Sequence, residues 1–230
     1  MSSPCPCRWA RAPASADGWL PFLFVPEKAA QVWGRSLEAG RAKRDAALVA
    51  LQISAGGPLA IGEGADVRQV AHQFWPRLAL YIGGMGVKGA NFYNDVVCRY
   101  GFEREAGEIQ DLYVAGEKEQ AARVPDALVE AMSLCGPESF VAERVAAFKE
   151  AGVTQLQVEP IPTGGESVAS LVAKVRELAG CARRALGDGR SVFFRPSLGD
   201  ARRGRELAVA GDHVDVDAGL TREPQHALHD

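Results

Sequence analysis

Long apolar runs are missing from the sequence. No segment approaches the roughly 20 consecutive apolar residues of a membrane-spanning helix, so a transmembrane protein is not expected. The amino-terminal stretch carries Pro4, Cys5, Pro6 and Cys7 where a secretory signal has a continuous apolar core. The sequence therefore predicts a cytoplasmic protein that has no membrane partner.

An excess of positive charge is also missing. The chain has 26 Lys and Arg residues against 29 Asp and Glu, a net charge of −3, which offers no electrostatic footprint for nucleic acid. Its 230 residues are 47% hydrophobic and 24% charged, so a sizeable core can form and disorder throughout is excluded. The composition is that of a soluble globular protein with no nucleic-acid partner.

Cysteine spacing indicates neither a disulfide framework nor a zinc site. The cysteines are odd in number and scattered, which is typical of reduced thiols: Cys5, Cys7, Cys98, Cys135 and Cys181. A metal set that combines Cys5 and Cys7 with His226 and His229 matches no standard zinc spacing. No metal is expected.

Two common site signatures are absent or incomplete. No serine stands in a G-x-S-x-G motif, which excludes the nucleophile elbow of many hydrolases. Residues 84–89 read G-M-G-V-K-G, and residues 78–82 could form the strand before this glycine motif. A dinucleotide site also needs a second strand that ends in an acid, but residues 105–112 have a helical pattern. A loop that breaks helices is the preferred interpretation.

Two side chains of the same region have alternative interpretations. Lys88 stands in the glycine loop, where it could hold a phosphate or remain a solvated surface lysine. His72 lies on a predicted helix close to Phe74 and Trp75, and it is interpreted as an exposed or hydrogen-bonded surface histidine.

Three segments have the pattern of strands. Residues 19–25 form a continuous apolar run, but Pro21 requires the strand to end or bulge near Leu20. Residues 48–54 alternate and are stopped by the Gly-Gly-Pro that follows. Residues 153–158 form the third predicted strand.

Helical patterns stand between and after these strands. Residues 27–44 repeat apolar side chains every four positions, and a second helix is expected between Pro137 and a stop at Gly152. Residues 167–179 have a clear helical stripe. The alternation of strands and helices predicts an α/β protein with parallel strands.

The third predicted strand has one apolar and one polar side. Leu156 and Val158 point one way, whereas Gln157 and Glu159 point the other. If the apolar side packs on helices, Gln157 and Glu159 face the centre of a barrel, with Glu159 at its mouth, where barrel enzymes keep their sites. The alternative is the polar edge of an ordinary sheet.

A series of collinear motifs resembles a known family. They are A-D-G-W-L-P (16–21), V-W-G (32–34), L-Q-I-S-A-G-G-P-L (51–59), Y-I-G-G-M-G (81–86), K-G-A-N-F-Y-N-D (88–95), I-Q-D-L-Y (109–113), S-L-C-G-P (133–137) and A-G-V-T-Q-L-Q-V (151–158). Together they resemble the C-terminal half of actinobacterial luciferase-like monooxygenases, a class that includes deazaflavin-dependent oxidoreductases.

The resemblance implies a partial TIM (β/α) barrel. Residues 17–24, 48–54 and 153–158 become strands six, seven and eight. Residues 167–179 become the closing helix, and residues 62–135 a helical insertion between strands seven and eight.

Three segments are expected along the chain. Residues 1–15 form an unstructured leader, residues 16–179 the C-terminal part of the barrel, and residues 180–230 a weakly ordered tail. Three strands cannot close an eight-stranded barrel, and the family's acidic and histidine residues near the reactive ring belong to the absent strands. The expectation is a truncated, inactive form. The alternative is a non-catalytic fragment that acts only by pairing with a partner chain or with a second copy of itself.

The resemblance also implies an oxidoreductase or monooxygenase that uses coenzyme F420, a deazaflavin, or FMN on a small-molecule substrate. Catalytic residues stay unassigned. Seven residues at strand ends and in the insertion are candidates for cofactor or substrate binding: Leu20, Phe22, Gly56, Gly57, Lys88, Asn91 and Glu159.

Overall fold

The computed structural model describes residues 14–180 and 191–194. The leader up to Pro13 and most of the predicted tail lie outside the described residues, so their predictions stay open. The four side chains considered above as metal ligands also lie outside the described residues: Cys5, Cys7, His226 and His229. Cys181 also lies outside.

The described strands form one parallel sheet. Its members are β1 (Gly18–Trp19), β2 (Gln52–Ile61), β3 (Leu134–Gly136), β4 (Gln155–Pro160) and β5 (Ser191–Phe194). The order is β1-β2-β4-β5, and β3 also pairs with β2. Every pairing is parallel, which confirms the predicted α/β class.

Helices connect the strands. They are α1 (Arg35–Arg41), α2 (Ala65–His72), α3 (Trp75–Ala79), α4 (Phe92–Arg99), α5 (Glu103–Val114), α6 (Lys118–Ala121), α7 (Asp126–Met132), α8 (Glu138–Glu150) and α9 (Val168–Leu178). A 3₁₀ turn (Pro26–Lys28) and a π-helical turn (Ala30–Gly34) precede α1, and a second π-helical turn (Leu80–Gly84) follows α3. Among the described residues, no helix has the length and apolar character to cross a membrane.

β1 is much shorter than the predicted strand at residues 17–24. It pairs with β2 only at Gly18↔Gln52 and Trp19↔Ile53. Pro21 cannot donate to a ladder, and Leu23 adopts a φ of 58°, in the left-handed region that non-glycine residues rarely occupy. The chain therefore turns away from the sheet directly after Trp19.

β2 is longer than predicted and begins later, so the expected stop after Ser54 was wrong. The carbonyl of Leu59 accepts from Ile161 of the β4 side, whereas that of Pro58 accepts from the Cys135 thiol on the opposite edge. The nitrogen of Pro58, which carries no hydrogen, therefore faces the β3 edge of β2. β3 pairs with β2 only from Leu59 onward, so Pro58 has no strand partner on that edge. Proline is tolerated there because no partner strand requires its donor.

The region between β2 and β4 contains a short strand that its helical pattern did not predict. β3 pairs with the end of β2 through Leu59↔Leu134 and is only three residues long. The rest of the insertion is helical, as expected, and the glycine motif forms a loop between the second π-helical turn and α4, as predicted. The hypothetical strand at residues 78–82 is helical, which removes the dinucleotide fingerprint.

The two helices that follow β3 and β4 agree with their sequence signals. Pro137 is the N-cap residue of α8, and the predicted stripe that includes Val141 and Phe148 is buried. Ser167 caps α9 by accepting a hydrogen bond from the Ser170 amide. These helices pack on the apolar side of the sheet, where each fully buried side chain contributes about 1.5–3 kcal/mol.

Candidate functional site

A cavity of about 350 Å³ lies beyond the ends of β1 and β4. The turn after β1 forms one side, the middle of β2 and the end of β4 form the base, and α3, the second π-helical turn and α4 form the other side. Its lining residues are Leu20, Pro21, Phe22, Leu23, Phe24, Gly56, Gly57, Pro58, Phe74, Arg77, Leu78, Tyr81, Tyr93, Val129, Met132, Gln157, Val158 and Glu159.

Aromatic rings form one wall of the cavity. The ring centroid of Phe22 lies 4.1 Å from that of Tyr81 and 6.0 Å from that of Tyr93. Tyr81 and Tyr93 meet edge to face with centroids 4.8 Å apart. Burial, and secondarily the neighbouring Tyr81 phenol, raises the pKa of Tyr93. Tyr93 therefore stays protonated at neutral pH, as a hydrogen-bond donor on an apolar wall.

Two glycines let backbone segments meet at the base of the cavity. A Cβ atom on Gly56 would stand 1.9 Å from the carbonyl oxygen of Gln157 in β4, and one on Gly57 would stand 2.2 Å from that of Met132. Both neighbours are backbone atoms that cannot rotate away. Glycine is required here for close approach of three chain segments, which brings β2 against the end of α7.

A charged pair stands where β4 ends. The Arg77 Nη2 group of α3 donates to Glu159 Oε2 over 3.0 Å. The Arg77 guanidinium carbon also lies 4.4 Å from the centroid of the Phe74 ring, a cation–π contact that helps to fix its position. Among the described residues that line the cavity, these two are the ones that carry charge.

The strained turn at Leu23 is held by Tyr100. The Tyr100 hydroxyl donates to the Leu23 carbonyl over 2.7 Å, and it accepts from the Trp33 indole nitrogen at 3.3 Å. Burial raises the pKa of Tyr100, so the hydroxyl keeps its proton. One buried phenol thereby joins α4 to the turn that forms a side of the cavity.

The structure brings five of the seven predicted binding residues together. Leu20, Phe22, Gly56, Gly57 and Glu159 all line the cavity. Their association arises because β1 and β4 are parallel neighbours of β2: β1 ends level with Ile53, and Gly56 and Gly57 pair with the two residues that precede Glu159.

The other two predicted residues lie elsewhere. Lys88 is exposed and its Nζ atom pairs with Asp111 Oδ1 at 2.6 Å on α5. Asn91 is buried as the N-cap of α4, and its side-chain amide donates to the carbonyls of Tyr81 and Ile82. Asn91 therefore fixes the backbone beside the aromatic wall rather than facing the cavity.

Arg77, Tyr81 and Tyr93 line the cavity but were not among the residues predicted from the sequence. Arg77 is separated from Glu159 by 82 positions, and no spacing rule connects them. The tyrosines stood in the quoted motifs, but their helical setting gave no sign of which face they occupy. His72 pairs with Asp126 at 3.3 Å and stacks on Trp75, as expected for a satisfied surface histidine.

The glycine motif has a packing explanation. A Cβ atom on Gly84 would stand 2.5 Å from Tyr113 Cε1, and one on Gly86 would stand 2.6 Å from the carbonyl oxygen of Ala90. Glycines at these positions allow the π-helical turn to pack on α5 and the loop to close. Within the described residues, no group of His, Cys, Asp and Glu is arranged to bind a metal.

The sequence matches the model of a known protein family. Residues 8–155 match the family model described as luciferase-like monooxygenase, and they make up more than half of the chain. This is the family that the collinear motifs resemble.

Two relatives are named for the same coenzyme. A Mycobacterium tuberculosis protein, provisionally named a coenzyme F420-dependent oxidoreductase, is 34% identical over 153 residues, which cover 65% of this chain and 43% of that protein. The coenzyme F420-dependent tetrahydromethanopterin reductase of Methanopyrus kandleri overlaps 76% of this chain and 46% of its own structure, with 21% identity and a TM-score of 0.49. The chain spans less than half the length of each of these relatives.

Proposed function

Because this chain belongs to the luciferase-like monooxygenase family, we propose that its cavity binds the ring system of coenzyme F420 or FMN within a deazaflavin- or flavin-dependent oxidoreductase. The observation that carries the proposal is the meeting of five predicted binding residues in one aromatic-walled cavity. The coenzyme F420 in the name of the M. tuberculosis relative favours the deazaflavin.

The cavity fits a planar ring better than a complete cofactor. Its volume of about 350 Å³ is near the lower end of the range for small-molecule pockets, about 300–1,000 Å³. Phe22, Tyr81 and Tyr93 offer flat apolar contact to such a ring. Arg77, the cation of the described cavity lining, is already paired with Glu159, so a cofactor phosphate has no free positive partner here.

When bound, the deazaflavin or flavin supplies hydride or electron transfer to a small organic substrate. The protein's part is to orient that ring and to exclude water from its face. Phe22 and Tyr81 hold the ring in place, and Tyr93 supplies a protonated donor at the wall. Gly56 and Gly57 keep the base flat, because any side chain there would collide with backbone.

We further propose that the described sheet is part of a TIM barrel. The strand order β1-β2-β4-β5 is an open path among the described residues, and an eight-stranded barrel needs further strands to complete its central site. Hydride transfer requires reacting atoms about 3–3.5 Å apart, a precision that needs walls on both sides. We therefore expect this chain, by itself, to bind the cofactor weakly and not to turn over substrate.

Titration of the purified chain with FMN and with coenzyme F420, followed by fluorescence, tests the proposal. Phe22→Ala removes the ring that contacts both tyrosines, and it should weaken binding of either cofactor about tenfold. Lys88→Ala is the comparison variant, because it removes an exposed ion pair outside the cavity and should change affinity less than twofold.

Three results would contradict parts of the proposal. Equal affinities for the parent chain and Phe22→Ala would mean that the cofactor binds elsewhere. Weaker cofactor binding by Lys88→Ala, with unchanged binding by Phe22→Ala, would show that Lys88 contacts the cofactor as the sequence predicted. Turnover by the isolated chain would show that the described walls are sufficient and that the truncated, inactive form was the wrong expectation.

Pairing with another chain is a second proposal, favoured by a specific observation. Leu20 directly follows β1 and is 61% exposed, and β1 has β2 as its strand partner in the described part of the sheet. An unpaired edge beside an exposed apolar side chain favours association. Light scattering of the parent chain and of Leu20→Lys tests it, since a charge at that edge should reduce any self-association; an unchanged mass would contradict it.

A further inference from the structure

We propose that Arg77 and Glu159 together recognise a neutral imide or amide edge of the bound ligand, a carbonyl acceptor next to an N–H donor. This inference rests on the proposed function, because it names the chemical group that the same cavity selects. It concerns two side chains whose joint role does not follow from family membership or from the relatives' names.

The Arg77–Glu159 pair leaves several of its hydrogen-bonding positions unused. A guanidinium carries five N–H donors, and within the described part of the chain Arg77 makes one hydrogen bond, from Nη2 to Glu159 Oε2. Its Nε is buried and has no acceptor among the described residues, so the donors left for a ligand are the remaining N–H groups of the two Nη atoms. Glu159 accepts through Oε2, so Oε1 is left for a second donor. The pair therefore offers a donor and an acceptor side by side.

The charges of the pair favour a neutral ligand group. Arg77 and Glu159 neutralise each other, and they are the charged residues among the described lining of the cavity. An anionic ligand group would meet the Glu159 carboxylate, and a cationic group would meet the guanidinium. A neutral group with an acceptor beside a donor satisfies both side chains without breaking their ion pair, so imides and amides are favoured over carboxylates and amines.

Both side chains of the pair are held in place by their surroundings. The Arg77 guanidinium contacts the Phe74 ring and donates to Glu159, and Glu159 belongs to a strand rather than to a loop. Side chains held in one orientation lose little conformational freedom when a ligand binds. The pair is therefore suited to choosing between ligands that differ by a single N–H.

Two related probes test this choice. Lumiflavin is a tricyclic ring with an imide edge and no phosphate tail, and in 3-methyllumiflavin a methyl group replaces the imide hydrogen, which is the single N–H of the ring system. Fluorescence titration of the full chain should give at least tenfold weaker binding for the methylated probe. In Glu159→Leu the difference between the probes should shrink to less than threefold, because the acceptor for that N–H is gone.

The variants separate recognition from folding. Arg77→Met combined with Glu159→Leu removes both charges and leaves no unpaired ion, so it serves where a single variant fails to fold, with circular dichroism as the check. Lys174→Met is the matched control, because Lys174 forms an ion pair of similar exposure (37% against 38% for Arg77) with Glu138, outside the cavity lining. It should bind both probes as the parent chain does.

The outcomes distinguish the two proposals. Equal binding of both probes by the parent chain would overturn the role of the pair while leaving the cavity as a ring-binding site. The same holds if probe discrimination survives in the double variant. If the chain binds none of lumiflavin, FMN and coenzyme F420, the proposed function itself is overturned.

Discussion

The buried hydroxyl of Tyr100 connects the strained turn at Leu23 to Trp33 through two hydrogen bonds. Tyr100→Phe would leave the Leu23 carbonyl without its hydrogen bond, and would take away one partner of Trp33. Loss of a buried partner of this kind costs about 1–3 kcal/mol, so we expect the free energy of unfolding to fall by that amount in urea denaturation.

Tyr113→Phe is the comparison for Tyr100→Phe. Its ring packs against Gly83 and Gly84, and the substitution keeps that ring. We expect this substitution to change the free energy of unfolding by less than about 0.5 kcal/mol. Equal effects of the two substitutions would show that the Tyr100 hydroxyl does not hold the turn.

Cys135 is expected to be chemically inert in the folded chain. Burial raises the pKa of its thiol to about 12. At pH 8 the reactive thiolate is then about one part in ten thousand of Cys135, so iodoacetamide should modify it slowly. Peptide mass spectrometry should detect rapid alkylation only after urea unfolding, when the pKa returns toward about 8.5. Rapid labelling of native protein would contradict the burial.

Residues that line the cavity were predictable where the order of strands along the chain carries the information. Gly56, Gly57 and Glu159 stand at ends or interruptions of strand patterns, and parallel strands bring such positions together. Arg77 was not predictable, because its role depends on a tertiary contact with Glu159 across most of the insertion. Asn91 was placed in the right region, but its amide is used to tether backbone.

Among the elements, α5 and the π-helical turn that packs on it each offer a glycine substitution, and the two are expected to change stability in opposite directions. Gly83→Ala would place a Cβ 2.5 Å from Tyr113 Cβ, where the π-helical turn packs on α5. Gly107, inside α5, has nothing within 4 Å of an added Cβ. We expect Gly83→Ala to lower the free energy of unfolding by about 1–3 kcal/mol through overpacking, and Gly107→Ala to raise it by about 0.5–1 kcal/mol through helix propensity.

Thermal unfolding of both variants measures this contrast. The substitution is chemically identical, so the sign difference isolates the contact with Tyr113 from the general effect of alanine. Destabilisation by Gly107→Ala would mean that α5 does not have its described surroundings.

Elements with a clean periodicity were predicted well, and those governed by tertiary contacts were not. The stripes of α8 and α9 gave correct helices because local side-chain spacing determines which face is buried. Gly56 and Gly57 indicate the end of a strand in the sequence, yet β2 continues through them as it pairs with β4. Glycine is needed at both positions because backbone of β4 and α7 comes too close for a side chain. β3 is only three residues long, and so short a strand has no period to detect.

For the molecule as a whole, β5 covers the edge of β4. It pairs from Gln155↔Ser191 to Val158↔Phe194, within the segment that was predicted to be weakly ordered. Val192→Pro with Phe193→Pro removes two successive N–H donors, one of which faces β4 because strand donors alternate. We expect the uncovered edge to increase self-association in light scattering.

Val192→Ala with Phe193→Ala is the control for that variant, because it keeps both backbone donors while shortening the side chains. The alanine variant should associate less than the proline variant. Identical masses would show that backbone pairing at β5 does not protect the edge.

The pairing of β2 with β4 also has a kinetic consequence. The Ser54 side chain meets that of Gln155 across 101 positions, and the helices of the insertion lie between them. Closing so long a loop is entropically unfavourable, whereas α4 and α5 contain local contacts that form within microseconds. Folding should therefore be slow for a chain of this helix content, with the insertion gaining structure before the central ladder of the sheet.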